Sequence, residues 1–257
     1  MKKAVKVILL AAAGAGTCVA AKKFASCTKN KHKEDEDTEG DHSPSMPKVK
    51  TKGSLGESSG KLFEPFINRD GDAVYCKTQF GRYYTENWTK MKPLVWKILS
   101  IRDGKALLMC DKAVDMMEFD RSGKADWDKS SIRKWLNKDF LDTAFSDEEK
   151  YAIDYENEST GDAVFLLSSD EYIDFVYKKD FELGAVELTE TAKDHARVGK
   201  IPYDEFSCWL RSCSDAYVMI VDGDGIFDNI VCKADKPNAV VPCIWVELDR
   251  AGLEFML

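Results

Sequence analysis

Between residues 94 and 110 the chain is apolar with one interruption: "LVWKILSI", then "RDG", then "KALLMC". Two β-forming runs around an Asp-Gly pair predict an antiparallel hairpin, because these residues accept the backbone of a tight turn. The spacing then lengthens. In "SSIRKWLNKDFLDTAF", Ile132, Trp135, Leu136 and Phe140 recur at helical intervals, which predicts a helix with one buried face. "SDEEKYAI" opens on Ser146 with Glu149 three residues later. "FLLSSDEYIDFV" reads as a short apolar strand followed by Ser168 and Glu171 in the same relation. Both pairs are capping boxes, in which serine and glutamate satisfy each other's backbone N–H at a helix start. Tyr172, Phe175 and Val176 share a face of the helix so begun. Short β-rich runs return in "FSCWLRSC", "AYVMIVDGDGIFDNIVC" and "VVPCIWVEL". Strands, then two helices, then strands predict an α+β fold, a mainly antiparallel sheet with two or more helices.

The first 60 residues follow another pattern. "MKKAVKVILLAAAGAGTCVAAKK" (1–23) has a basic start, an apolar run from Val7 to about Ala21, and two further lysines. That layout is expected of a signal peptide or a membrane anchor; the run is short for a span, and lysines on both flanks leave topology open. Residues 24–60 are lysine-rich, then acidic ("KEDEDTEGD"), then rich in Pro, Ser and Gly, which predicts a disordered linker. The single folded domain is expected over 61–257. All six tryptophans lie between Trp88 and Trp245, whereas residues 1–60 hold one aromatic, Phe24.

Charge divides at the same place. The chain carries −8, of which residues 1–60 contribute +4, from eleven Lys against seven Asp/Glu. Residues 61–257 therefore carry −12, from 26 Lys/Arg against 38 Asp/Glu. A domain so acidic repels a phosphate backbone, which argues against nucleic acid as a partner. Phosphate-loop signatures are missing, and so are paired-histidine or nucleophile-elbow motifs. Of three histidines only His195 falls in the domain, where it is expected to be an exposed residue. No catalytic constellation, cofactor or resident metal is implied.

The succession "FGRYY", "PLVWKILSIRDGKALLMCDKAVD", "SSIRKWLNKDFLDTAFSDEEKYAI", "VFLLSSDEY", "CWLRS" and "VPCIWVEL" resembles a bacterial domain-of-unknown-function family, number 6273, from about Phe80 to Leu248. That family is common in Gram-positive bacteria and often attached to signal peptides or membrane segments. The closing blocks also look like the end of a C-type-lectin-like fold, shared with formylglycine-generating enzymes. The resemblance implies a C-type-lectin-like domain in an extracytoplasmic setting, membrane-anchored or secreted, and no established activity.

Candidate chemistry gathers in two places. Cys208 and Cys213 bracket "WLRS" at the C-x₄-C spacing with which formylglycine-generating enzymes hold copper(I), so an oxidase using these thiols is one reading. Five residues apart on a regular strand, they point to opposite faces and meet only across a turn or bulge. A disulfide among Cys76, Cys110, Cys208, Cys213, Cys232 and Cys243 and a set of reduced buried thiols both stay open. Arg211 is expected to clamp a carboxylate or loop carbonyls, or else to recognise a ligand, and Trp209 and Trp245 to fill the core or stack on a sugar. Asp222, Asp224 and Asp228 in "VDGDGIFD" are expected to shape a hairpin turn, with calcium as the rival reading. The leading functional expectation is a non-catalytic module for an unknown cell-surface ligand, glycan or protein, using Trp209, Arg211, Asp222 and Asp224. A thiol or copper oxidase and a structural envelope protein are the alternatives.

Overall fold

The Asp-Gly hairpin forms. The computed structural model describes residues 48–51, 66–67, 73–75 and 77–256, apart from 158, 181–182 and 204. In chain order the strands are β1 (Lys48–Thr51), β2 (Phe66–Ile67), β3 (Ala73–Tyr75), β4 (Lys77–Asn87), β5 (Lys90–Arg102), β6 (Lys105–Cys110), β7 (Lys112–Ala113) and β8 (Asp115–Glu118). A helical region follows: α1 (Ser131–Trp135), a π-helical turn (Leu136–Phe140), α2 (Leu141–Ala144), α3 (Asp147–Ala152), α4 (Ser169–Tyr172) and a second π-helical turn (Ile173–Tyr177). Then come β9 (Glu187–Leu188), α5 (Glu190–Gly199), β10 (Ser207–Ser214), β11 (Tyr217–Asp222), β12 (Val231–Lys233), β13 (Pro237–Val240), β14 (Cys243–Glu247) and β15 (Leu253–Met256). Asp103 and Gly104, at φ 51° and 73°, make the turn between β5 and β6.

The architecture is α+β. A four-stranded antiparallel sheet runs β14-β6-β5-β4, and a five-stranded sheet runs β12-β11-β10-β13-β8 with one parallel pair, β10 and β13. The chain passes between the sheets at residues 110–115 and again at 240–243. These crossings are tied by Cys110 N–H to Pro242 C=O and Val114 N–H to Val240 C=O, both 2.9 Å. Trp96, Leu107, Leu108, Phe119, Phe140, Phe165 and Ile244 are among the fully buried side chains of one apolar core. Packing of this kind is the main offset to chain entropy.

Helix starts are placed as expected. Ser146 with Glu149, and Ser168 with Glu171, form complete capping boxes. Ile132, Leu136 and Phe140 are fully buried on the first helix, with Trp135 half-buried at its edge. Two elements differ from expectation. The apolar run 163–167 is no ladder strand: it makes one bridge, Phe165 to Cys243, and is apolar because core surrounds it on all sides. Helix α5 was not expected, since only Thr191, Ala192 and Ala196 are buried on an otherwise charged segment. It is capped by Thr189 and ends at Lys200, in the left-handed conformation.

β1 falls inside the stretch expected to be linker and pairs antiparallel with β15, Lys48 opposite Met256. The segment 1–23 and most of 24–60 lie outside the described residues. Among the described residues no helix is long and apolar enough to cross a membrane.

Gly81, at φ +69°, sits where the β4–β5 register slips, and its N–H donates to buried Glu149 Oε1 at 3.2 Å. A Cβ there would meet Phe145 at 2.6 Å and the Ala144 carbonyl at 2.7 Å, whereas one on Gly104 would meet nothing within 4 Å. Gly104→Ala is therefore expected to cost about 1–2 kcal/mol from backbone strain alone. Gly81→Ala adds overpacking, for a total of roughly 2–5 kcal/mol. Urea denaturation of the two variants beside the parent measures the difference.

Candidate functional site

The segment "CWLRSC" occupies β10, and its four inner residues are all engaged. Trp209 is 1% exposed, and its indole N–H donates to Met117 C=O at 2.9 Å. Leu210 is core. The Arg211 guanidinium donates to Leu166 C=O at 2.7 Å, to Ser159 C=O at 3.2 Å and to the Glu171 carboxylate, and it lies over the Phe165 ring. Ser212 Oγ accepts the Ser169 N–H at 2.9 Å, at the first residue of α4. Arg211 and Ser212 thus fasten β10 to the 159–171 segment, and Trp209 ties it to β8.

Glu171 serves two structures at once. Its carboxylate accepts the Ser168 N–H at 2.8 Å in the capping box and pairs with Arg211. Burial pushes its acidity toward the neutral form, but Arg211, the Ser168 N–H and Ser159 outweigh burial and hold it below the ordinary carboxylate range. Trp245, 2% exposed, completes the arrangement by donating to Ser159 Oγ at 3.0 Å. Arg211 is therefore an internal clamp, and both tryptophans lie in the core, with no face open to stack on a ligand.

The two cysteines are not brought together. β10 bulges between Trp209 and Cys213, so Cys208 pairs with Val221 and Cys213 with Val218. Those valines are three residues apart and point to opposite faces, and the cysteines follow them. Cys208 is buried near Lys97 and Asp222; Cys213 is exposed, near Trp127 and Asp126. Burial pushes the Cys208 thiol up to about 12 and the Cys213 thiol up to about 11. Both stay protonated at neutral pH, unlike the thiolates that bind soft metals. Cys110, Cys208, Cys213, Cys232 and Cys243 are all free; Cys76 lies outside the described residues.

The aspartates of the β11–β12 connection shape it. Asp222 Oδ1 accepts the Ile226 N–H at 2.7 Å, and the Asp222 carbonyl accepts the Gly225 N–H at 3.1 Å. Asp224 and Asp228 are exposed. Among the described residues no three His, Cys, Asp or Glu side chains gather as a metal set.

Sequence reading missed a different constellation. Buried Asp115 on β8 meets His195 on α5, Oδ1 to Nδ1 at 2.5 Å. Burial raises the Asp115 pKa and so weakens the acid, while His195 and the Met116 N–H pull it back without cancelling the rise. Trp88 stands edge-on to the His195 ring at 6.4 Å and is 49% exposed, as no other tryptophan is. Its turn is rigid: Asn87 Oδ1 accepts the N–H groups of Thr89 and Lys90, each at 3.0 Å, and the Thr89 hydroxyl at 2.6 Å. A tryptophan within the polar turn "ENWTK" was a usable signal. The Asp115–His195 pair, 80 residues apart, left none.

The family model for a domain of unknown function, DUF6273, matches residues 103–248, more than half of the chain, and the chain belongs to that family. β4 and all of β5, with "FGRYY" and "PLVWKILS", lie before the matched segment. No curated protein and no solved structure matches the chain.

Breaking the clamp from one side strands a buried charge. Arg211→Met and Glu171→Gln are each expected to destabilise by about 3–5 kcal/mol, and the double variant by less than the sum, with coupling of about 1–3 kcal/mol. Because folded Glu171 is more acidic than its unfolded form, the clamp contributes fully at neutral pH. Its contribution fades as pH falls below roughly 4.3 toward the folded value. Urea denaturation between neutral pH and pH 3 is expected to show a shallower decline in Glu171→Gln than in the parent.

Proposed function

We propose that this member of the DUF6273 family is a non-catalytic binding module of C-type-lectin-like architecture. In this reading the N-terminal segment carries it outside the cytoplasm, and the surface around Trp88 meets a glycan or protein at the cell surface. The observation that carries the reading is the half-exposed indole on a hydrogen-bonded turn. A large aromatic left in water is a liability unless something covers it, and an aromatic side chain on an ordered turn has few rotatable bonds to freeze on binding. His195 beside it, oriented by buried Asp115, presents its second ring nitrogen as a polar contact. The dispersed, protonated thiols favour binding over thiol chemistry.

Trp88→Ala is expected to lower retention on a glycan or peptidoglycan array by about tenfold or more, with unchanged thermal stability. An array on which parent and variant bind alike removes Trp88 from the function, and one on which neither binds favours an envelope structural role. Protease accessibility in intact cells tests the location: a protected domain there would place it in the cytoplasm.

A further inference from the structure

A second surface, which shares no lining residue with the Trp88, His195 and Asp115 cluster, carries its own chemistry. Between β8 and the first helix lies a groove of about 210 Å³. Pockets for drug-sized ligands run to roughly 300–1,000 Å³, so this one has room for a single ring. Its helical wall is the stripe Ser131, Lys134, Trp135 and Lys138, spaced at i, i+3, i+4 and i+7; Arg121 and Met117 face them.

Three cations converge here in a domain carrying −12. Among the described residues, Arg121, Lys134 and Lys138 have no carboxylate at ion-pair distance, although most other lysines and arginines of the domain do. Lys134 and Lys138 are like charges at i, i+4, an arrangement that destabilises a helix on its own. Lys138 also lies in the π-helical turn, a distortion frequent at functional sites. The Trp135 ring is half-buried against Phe140, and its indole N–H donates to nothing among the described residues. One strand further in, Asn238 pairs in register with Met117 and so shares its face of the sheet. Asn238 is 8% exposed, and its Nδ2 is a buried donor without a partner.

We infer that this groove binds one acidic sugar residue. Its carboxylate or phosphate lies among Arg121, Lys134 and Lys138, and its ring lies on Trp135. Two carboxylates also line the groove, Glu118 and Asp139. They fit the same ligand as acceptors for ring hydroxyls, whereas a bare anion would be repelled by them. The requirement is therefore for both parts together: neutral sugar lacks the anchor, and free anion lacks the ring.

The test is titration of the full chain with glucuronate, glucose 6-phosphate, glucose and inorganic phosphate, following the Trp135 indole N–H resonance by NMR. At least one of the two acidic sugars is expected to shift that resonance at millimolar concentration. Glucose and inorganic phosphate each bind about tenfold more weakly or worse. Lys134→Gln/Lys138→Gln, exposed positions that leave the core intact, weakens the acidic sugar by a similar factor, as does added salt. An unmoved resonance with both acidic sugars, equal affinity for glucose or for inorganic phosphate, or an unchanged double variant overturns the inference. Trp88→Ala leaves this titration as it is, so the failure of either surface is distinguishable from failure of the other.

Discussion

The ion pair between Arg211 and Glu171 is the constraint on which most of the domain depends. Charges taken out of water are tolerated only when paired and hydrogen-bonded, so the pair dictates what may surround it. Glu171 must sit at the third position of a helix, where it also serves Ser168. Arg211 must sit where strand β10 passes the carbonyls of Ser159 and Leu166. Together these demands fix the path of residues 159–171, whose backbone otherwise meets the strands at Phe165, paired with Cys243, and at Leu167, which accepts the Arg211 N–H. Phe165 and Trp245 then close the space around them.

A second buried cation shows the same logic at lower cost. Lys97, 5% exposed on β5, donates to the carbonyls of Leu183 and Ala185 at 2.8 and 2.9 Å, with Asp111 3.9 Å away. Burial lowers its basicity to about 8, with Asp111 opposing the shift. Without a close carboxylate the ammonium is held by backbone oxygens, and the 183–185 segment is pinned across the four-stranded sheet. Each cation secures a segment outside the strand ladders, Arg211 at Ser159 and Leu166 and Lys97 at Leu183 and Ala185.

Local rules made much of the fold readable in advance. The Asp103–Gly104 turn, both capping boxes and the buried face of the first helix each depend on residues within a few positions of one another. What failed to show depends on distance or on context. The 163–167 run has strand-like composition because it is enclosed, not because it pairs. Helix α5 hides its narrow alanine face among charges, and its cap, Thr189, gives a weak signal alone. The bulge in β10 is set by its register with β11, which no spacing within "CWLRSC" encodes; with two extra residues it leaves Cys208 and Cys213 on the opposite faces their spacing implies. The candidate site was the least readable part: Arg211 was expected as a clamp, but Asp115, His195 and the partnerless cations near Trp135 come together only through the folded topology.

The free thiols carry one further consequence. Four of the five described cysteines have side chains wholly or partly inside the core, and burial keeps Cys110, Cys208 and Cys243 in the neutral form. The described fold closes around these sulfurs as small apolar groups and draws no covalent cross-link from them. Among the described residues, the same packing is therefore reached with or without an oxidant.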